Sequence, residues 1–145
     1  LQRKIDQLGL SRQVRLLGYR SDATRWLDGA DIVVHPSHAE GLSLVLIQAQ
    51  MLCKPIVATR VGGTTEVLAA DAQQGCTAWI AKPQDPASLQ AQITAALHAS
   101  ANPTADWRER LQITAERMRS DFTIQASAEK LVHLAAELLA KRKSR

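Results

Sequence analysis

The most restrictive feature of the chain is Ile32-Val33-Val34-His35-Pro36, followed by Glu40-Gly41 and then the apolar stretch Leu42–Leu52. A short, tightly bounded, β-branched run reads as a strand buried on both faces, the signature of a parallel sheet. Pro36 ends it. Leu42–Leu52 is apolar nearly all round, which predicts a buried helix. A parallel strand needs a crossover to its neighbour, and the rest of the chain supplies them. Pro55–Thr59 reads as the next strand, Gly62-Gly63 as a turn, and Thr64 or Thr65 as the cap of a helix through Ala70. Thr77–Ala81 reads as the last strand. Asp85-Pro86 is an N-cap with a proline at the first helical position, and Leu89, Ile93, Ala96 and Leu97 line one side of the helix that follows.

Upstream, Leu1–Leu10 reads as the end of a helix with Leu1, Ile5 and Leu8 on one face and Gly9 as its stop. Val14–Leu17 is a strand candidate ended by Gly18. Asp22 can cap a short helix through Leu27. Downstream, Asn102–Thr104 is a linker. Ala105–Arg119 is helical with Leu111, Ala115 and Met118 facing in. Thr123 starts a final helix striped by Ile124, Ala128, Leu131, Ala135 and Leu138. Strand and helix alternate to about residue 100, so the class is α/β with a parallel sheet and flanking helices, plus C-terminal helices. Residues 1–101 form the α/β part. Residues 102–145 form a helical appendix expected to pack on the same domain.

Composition narrows the function. The net charge is 18 − 14 = +4, and Lys141, Arg142, Lys143 and Arg145 alone carry four positive charges. The body is therefore neutral, which argues against nucleic acid as a partner. The basic end suits a solvated helix terminus or a weak contact with an anionic membrane surface. Two cysteines, Cys53 and Cys76, form no CxxC, so neither a zinc site nor a disulfide framework is expected, and a cytoplasmic setting fits. The longest apolar run is too short to span a bilayer. The chain starts at Leu1 and reads as an excerpt from something longer.

The chemistry concentrates in Pro36-Ser37-His38-Ala39-Glu40-Gly41-Leu42-Ser43-Leu44 and its continuation to Gln48. In an open α/β sheet, ligands bind at the carboxyl ends of the strands, where Glu40 sits. Gly41 lets backbone approach a ligand closely. The amides of Leu42, Ser43 and Leu44 can receive an anion, assisted by the helix dipole. A carboxylate for hydroxyls beside amides for phosphate suits a nucleotide sugar.

This segment resembles the signature of family 4 (group 1) glycosyltransferases of GT-B fold, P-S-x-x-E-G-[FL]-[GS]-x-x-x-[LI]-E-A. The likeness continues through Lys54-Pro55-Ile56-Val57-Ala58-Thr59, Gly62-Gly63-Thr64-Thr65-Glu66-Val67, Asp85-Pro86 with Leu89, and Asp121-Phe122-Thr123. The resemblance implies a Rossmann-like donor-binding domain. It implies a retaining, metal-independent transfer of sugar from a nucleotide-sugar substrate to an acceptor hydroxyl, with no cofactor. Glu40 then corresponds to the catalytic glutamate that contacts the transferred sugar, and Leu42, Ser43 and Leu44 to the amides on sugar and phosphate. Gln48 stands where the ribose-binding glutamate is expected, without the charge that strengthens such a bond. Gly18-Tyr19-Arg20 corresponds to the base-contacting loop, which makes Arg20 a donor-binding candidate. Gly62 and Gly63 lie in a loop beside the donor. Cys53 replaces the usual helix-ending glycine, at a backbone cost of up to ~1 kcal/mol if that residue is left-handed.

The resemblance further implies six strands in the order 3-2-1-4-5-6. Here the first two are missing, with the loop that clamps the diphosphate and the acceptor-binding N-terminal domain. Either the remaining strands pair differently, or another segment or a swapped second copy completes the sheet. The chain alone is then not expected to catalyse transfer. Plainer roles stand beside these. Glu40 can cap the following helix, Gln48 can be a satisfied core amide, and Arg20 a solvated arginine. Glu66 can be a first-turn acid. His35 and His38 have no third ligand nearby, so a metal site is not expected; His38 is instead a hydrogen-bond partner for sugar or phosphate. A non-catalytic nucleotide-sugar-binding or scaffold module is the alternative function. A nicotinamide domain fits poorly, because no GxGxxG is present.

Overall fold

A computed structural model describes residues 1–73 and 77–143 of the chain. Cys76, Ser144 and Arg145 lie outside them. The element order is α1 (Gln2–Gln7), α2 (Ala23–Asp28), β1 (Val33–His35), α3 (Leu44–Met51), β2 (Ile56–Thr59), α4 (Gly62–Gln73), β3 (Ala78–Ala81), α5 (Pro86–Ala101), α6 (Ala105–Asp121) and α7 (Ile124–Lys143). The three strands form one parallel sheet in the order β1-β2-β3. Val33 pairs with Ile56, and Ile56 with Ala78. All four residues of β2 are buried, as a central strand covered on both faces requires.

Alternate strand residues face opposite sides. Val33, Ile56, Ala58 and Ala78 join Leu46, Ile47 and Ala49 of α3, Val67 and Leu68 of α4, and Met118 of α6 in one apolar cluster. α5 lies against β2 and β3. Its start follows the sequence: the Asp85 carboxylate accepts from the Ser88 amide at 2.9 Å, and Pro86 opens the helix. The Thr104 hydroxyl likewise accepts from the Trp107 amide at 3.1 Å at the start of α6.

Several elements depart from expectation. Val14–Leu17 is not a strand; Val14, Leu16 and Leu17 are exposed, and the sheet has three strands. A strand is held by its ladder, and the resemblance places two further strands between this segment and β1, so among the described residues it has no strand to pair with. Asp22 stands at the start of α2 without capping it through its side chain, because Arg20 takes the carboxylate at both oxygens, each at 2.8 Å. Gly62-Gly63 is not a turn before a capped helix: the pair forms the first residues of α4, and Thr64 is fully buried inside that helix. α3 is buried on one side only. Leu46, Ile47, Ala49 and Gln50 face in, while Leu44, Val45 and Gln48 are exposed. The C-terminal helices part company: α6 packs on α3 through Leu111, Thr114, Ala115 and Met118, whereas Ile124, Leu131 and Leu138 of α7 are exposed. The stripe of α7 therefore does not cover the sheet domain. Among the described residues no helix is long and apolar enough to cross a membrane.

Cys53 ends the turn after α3 with φ 55°, the left-handed conformation that disfavours a β-carbon. Relief of this strain is worth about 1–2 kcal/mol, offset by the roughly 0.5–1 kcal/mol of extra chain entropy that glycine loses on folding. Cys53→Gly is thus expected to stabilise the protein by up to about 1 kcal/mol, read as a higher urea midpoint at unchanged slope.

Candidate functional site

The loop 36–43 connects β1 to α3 at the carboxyl edge of the sheet. Glu40 is anchored at its centre. Ser37 Oγ donates to Glu40 Oε1 at 2.8 Å, and His35 Nε2 lies 2.8 Å from the same oxygen. Ser37 Oγ is 3.1 Å and Ser43 Oγ 3.3 Å from that ring nitrogen. The loop is tied to the central strand by Thr59 Oγ1, which donates to the Ser37 carbonyl at 2.5 Å. Hydrogen bonds from Ser37 and His35 favour the charged form of Glu40 and hold its pKa below the ordinary value. A depressed carboxylate pKa stabilises the folded state above the unfolded-state value. That contribution is lost as pH falls through the depressed one, so the anchor is intact at neutral pH.

Ser43 is the N-cap of α3 but makes no side-chain cap bond, and its hydroxyl faces His35 instead. The first helical bond runs from the Ile47 amide to the Ser43 carbonyl at 3.3 Å. The amides of the first turn, Leu44 included, have no intrahelical acceptor. Those of Leu42 and Ser43 donate to no protein group among the described residues. The side chains of Leu42 and Leu44 are exposed. This is an uncapped, positive helix end beside a carboxylate.

Gly62 and Gly63 brace the loop from below. The Gly63 amide donates to the Glu40 carbonyl at 3.4 Å. A β-carbon on Gly62 would stand 2.0 Å from the Glu40 carbonyl oxygen, and one on Gly63 would stand 1.7 Å from that of Gly41. Both positions need glycine for close approach, and Gly62 also has φ 36°. A β-carbon on Gly41, by contrast, would meet no protein atom within 4 Å.

Two cavities lie along β1 and the loop after it. One, of about 620 Å³, is lined by residues that include Gly18, Tyr19, Arg20, Trp26, Val34, Val45 and Gln48. It brings Arg20 and Gln48 together although they are far apart in sequence. Arg20 is fixed there by the Asp22 carboxylate, whose pKa it lowers, and sits 5.5 Å over the Trp26 ring. Gln48 is exposed toward this space and is not a core amide. The other cavity, of about 500 Å³, takes in Ser37, His38, Thr59, Lys82 and Gln84. His38 thus lies apart from Arg20 and Gln48. Sequence reasoning passed over His35 and Ser37 as partners of Glu40. The available signal was a titratable residue at the buried end of a strand, five positions before a carboxylate.

Residues 1–117 match the model of the family described as glycosyl transferases group 1. The D-inositol 3-phosphate glycosyltransferase 2 of Catenulispora acidiphila is 35% identical over 132 residues, which cover 89% of this chain and 30% of that protein. The Vi polysaccharide biosynthesis protein VipC/TviE of Salmonella typhi is 35% identical over 65 residues, 45% of this chain and 11% of its own. Anabaena HepE, solved in complex with UDP, superposes with a TM-score of 0.74 at 28% identity, covering 91% of this chain and 35% of that one. Sucrose-phosphate synthase from Thermosynechococcus elongatus shares the fold, with a TM-score of 0.75 at 24% identity over 97% of this chain and 34% of its own. The chain thus spans less than a third of these two curated relatives. Its three parallel strands, its flanking helices and the match over most of its length agree: the chain belongs to the group 1 glycosyltransferases.

Proposed function

We propose that the chain is the donor-binding part of a glycosyltransferase that moves a sugar from a nucleotide-sugar donor to an acceptor hydroxyl. One observation carries the reading. An ionised, anchored Glu40 and the uncapped amides of Leu42–Leu44 lie together at the carboxyl edge of a parallel sheet. The cavity that joins Arg20 to Gln48 lies at the edge of β1. In this reading Arg20 contacts the base and Gln48 the ribose hydroxyls. The diphosphate lies on the amides at the start of α3, with Gly41 leaving room for it. Glu40 accepts from a hydroxyl of the sugar, with His38 available as a further hydrogen-bond partner.

The chemistry follows from that placement. The acceptor oxygen attacks the anomeric carbon and loses its proton. The bond from that carbon to the diphosphate breaks, and the nucleoside diphosphate leaves with the electron pair. The amides and the α3 dipole stabilise the charge that grows on the departing phosphate. Retention of configuration and absence of a metal come with the family resemblance, and a cytoplasmic setting with the cysteine usage. The acceptor is contacted by parts of the protein outside this chain.

Calorimetric titration with UDP-, GDP- and ADP-glucose, on the wild type and on Glu40→Ala, tests the reading. One of the three is expected to bind, and the variant to bind it at least about ten-fold more weakly, as for a lost charge-assisted hydrogen bond. Equal affinity in the two proteins would remove Glu40 from the site. Gln48 supports a second reading, a nucleotide-sugar-binding module without turnover, since the neutral amide replaces a carboxylate at the ribose position. Full-length protein that binds the donor tightly yet transfers no sugar would favour it.

A further inference from the structure

We infer that His35 is a positioning residue for Glu40, an inference that rests on the donor-site reading above. It fixes one carboxylate oxygen and leaves the other for the sugar. Oε1 of Glu40 receives Ser37 Oγ at 2.8 Å and faces His35 Nε2 at 2.8 Å. One ring nitrogen offers one hydrogen-bonding position. At these distances the carboxylate takes it, as acceptor from Nε2–H, and Ser37 and Ser43 at 3.1 and 3.3 Å are neighbours. Both donors fall on Oε1, and among the described residues none falls on Oε2. A glutamate has three rotatable bonds and would otherwise sample many geometries. Here two donors on one oxygen select one of them.

The ring is itself well held. His35 is the last residue of β1, its backbone pairs with Ala58 of the central strand, and its side chain is mostly buried at 18% exposure. Its position therefore comes from the ladder that ties β1 to the central strand. Glu40, by contrast, lies in a loop. The arrangement transmits the order of the strand to a loop carboxylate, so that the sugar hydroxyl meets a preset acceptor. A solely structural histidine would support folding without distinguishing a nucleoside diphosphate from its sugar conjugate.

The test compares His35→Leu, which loses the donor, with His35→Gln, whose side-chain amide can stand in for Nε2–H. The glucose conjugate that the wild type binds and its free nucleoside diphosphate are titrated into all three proteins. Carbon-detected NMR follows the Glu40 carboxyl titration. In His35→Leu the sugar conjugate is expected to bind about ten-fold more weakly and the free diphosphate within about two-fold of wild type. The Glu40 midpoint is expected to move up, and His35→Gln to recover most of both effects. Equal weakening of conjugate and free diphosphate, an unmoved Glu40 midpoint, or a glutamine variant no better than leucine would each overturn the proposal. If the wild type binds no nucleotide sugar, the donor-site reading falls, and so does the sugar-presenting role of His35. The Glu40 titration then shows only whether the contact exists.

Discussion

Gly63→Ala is expected to weaken donor binding by at least about ten-fold, the scale of one lost hydrogen bond to a charged group. The added β-carbon would lie 1.7 Å from the Gly41 carbonyl oxygen and 2.8 Å from its carbon. Both are backbone atoms with no rotamer to move aside, so the Gly41-Leu42 peptide or the start of α4 must shift. Overpacking of this kind costs about 1–3 kcal/mol of stability. The control is Gly41→Ala. Its β-carbon meets no protein atom, and its φ is not positive. That variant is expected to fold within about 0.5 kcal/mol of wild type, and any loss of donor affinity in it reports contact with the ligand. Calorimetry against the glucose conjugate and a denaturant midpoint separate the two effects. Wild-type affinity in Gly63→Ala would refute the bracing role.

The contrast between these glycines shows where sequence reasoning reaches its limit. Both are legible as positions where a side chain is unwelcome. Gly62-Gly63 suggests a turn because paired glycines punctuate chains. The actual reason is a loop arriving from another part of the chain, and no local pattern encodes that approach. Local chemistry is read well. The Asp85-Pro86 start of α5 follows from backbone needs within a few residues, whereas Thr104, read only as the end of a linker, turns out to cap α6. The three strands, too, are legible from bounded runs of apolar residues. Val14–Leu17 has the same local character but no ladder partner, and strand formation is a property of the pair. The site divides in the same way. Glu40 and the amides after it are marked by their motif, whereas Ser37 and His35 matter through side-chain geometry across a bent loop. Arg20 and Gln48 share a cavity only once the chain is folded.

Leu46→Ala is expected to cost about 2–5 kcal/mol, and Leu44→Ala, two residues earlier on the same helix, less than about 0.5 kcal/mol. In sequence the two leucines are indistinguishable members of an apolar run. In the fold Leu46 is fully buried in the cluster with Ile56, Leu68 and Met118, while Leu44 is 68% exposed. Truncating Leu46 removes its apolar contacts and leaves a cavity between α3 and the sheet, which rigid strands and the packed α6 cannot readily fill. Against a total stability of about 5–15 kcal/mol, such a loss lowers the melting temperature by roughly 10 °C, measurable by circular dichroism. Leu44 instead lies in the first turn of α3, beside the amides assigned to the diphosphate. Its truncation is expected to leave melting unchanged and to alter donor affinity by no more than about three-fold, because the backbone amides carry that contact. Similar losses of stability in the two variants would mean that α3 is covered on both faces in the intact protein. The exposed side of the helix would then be an interface, with Leu44 and Val45 buried in it.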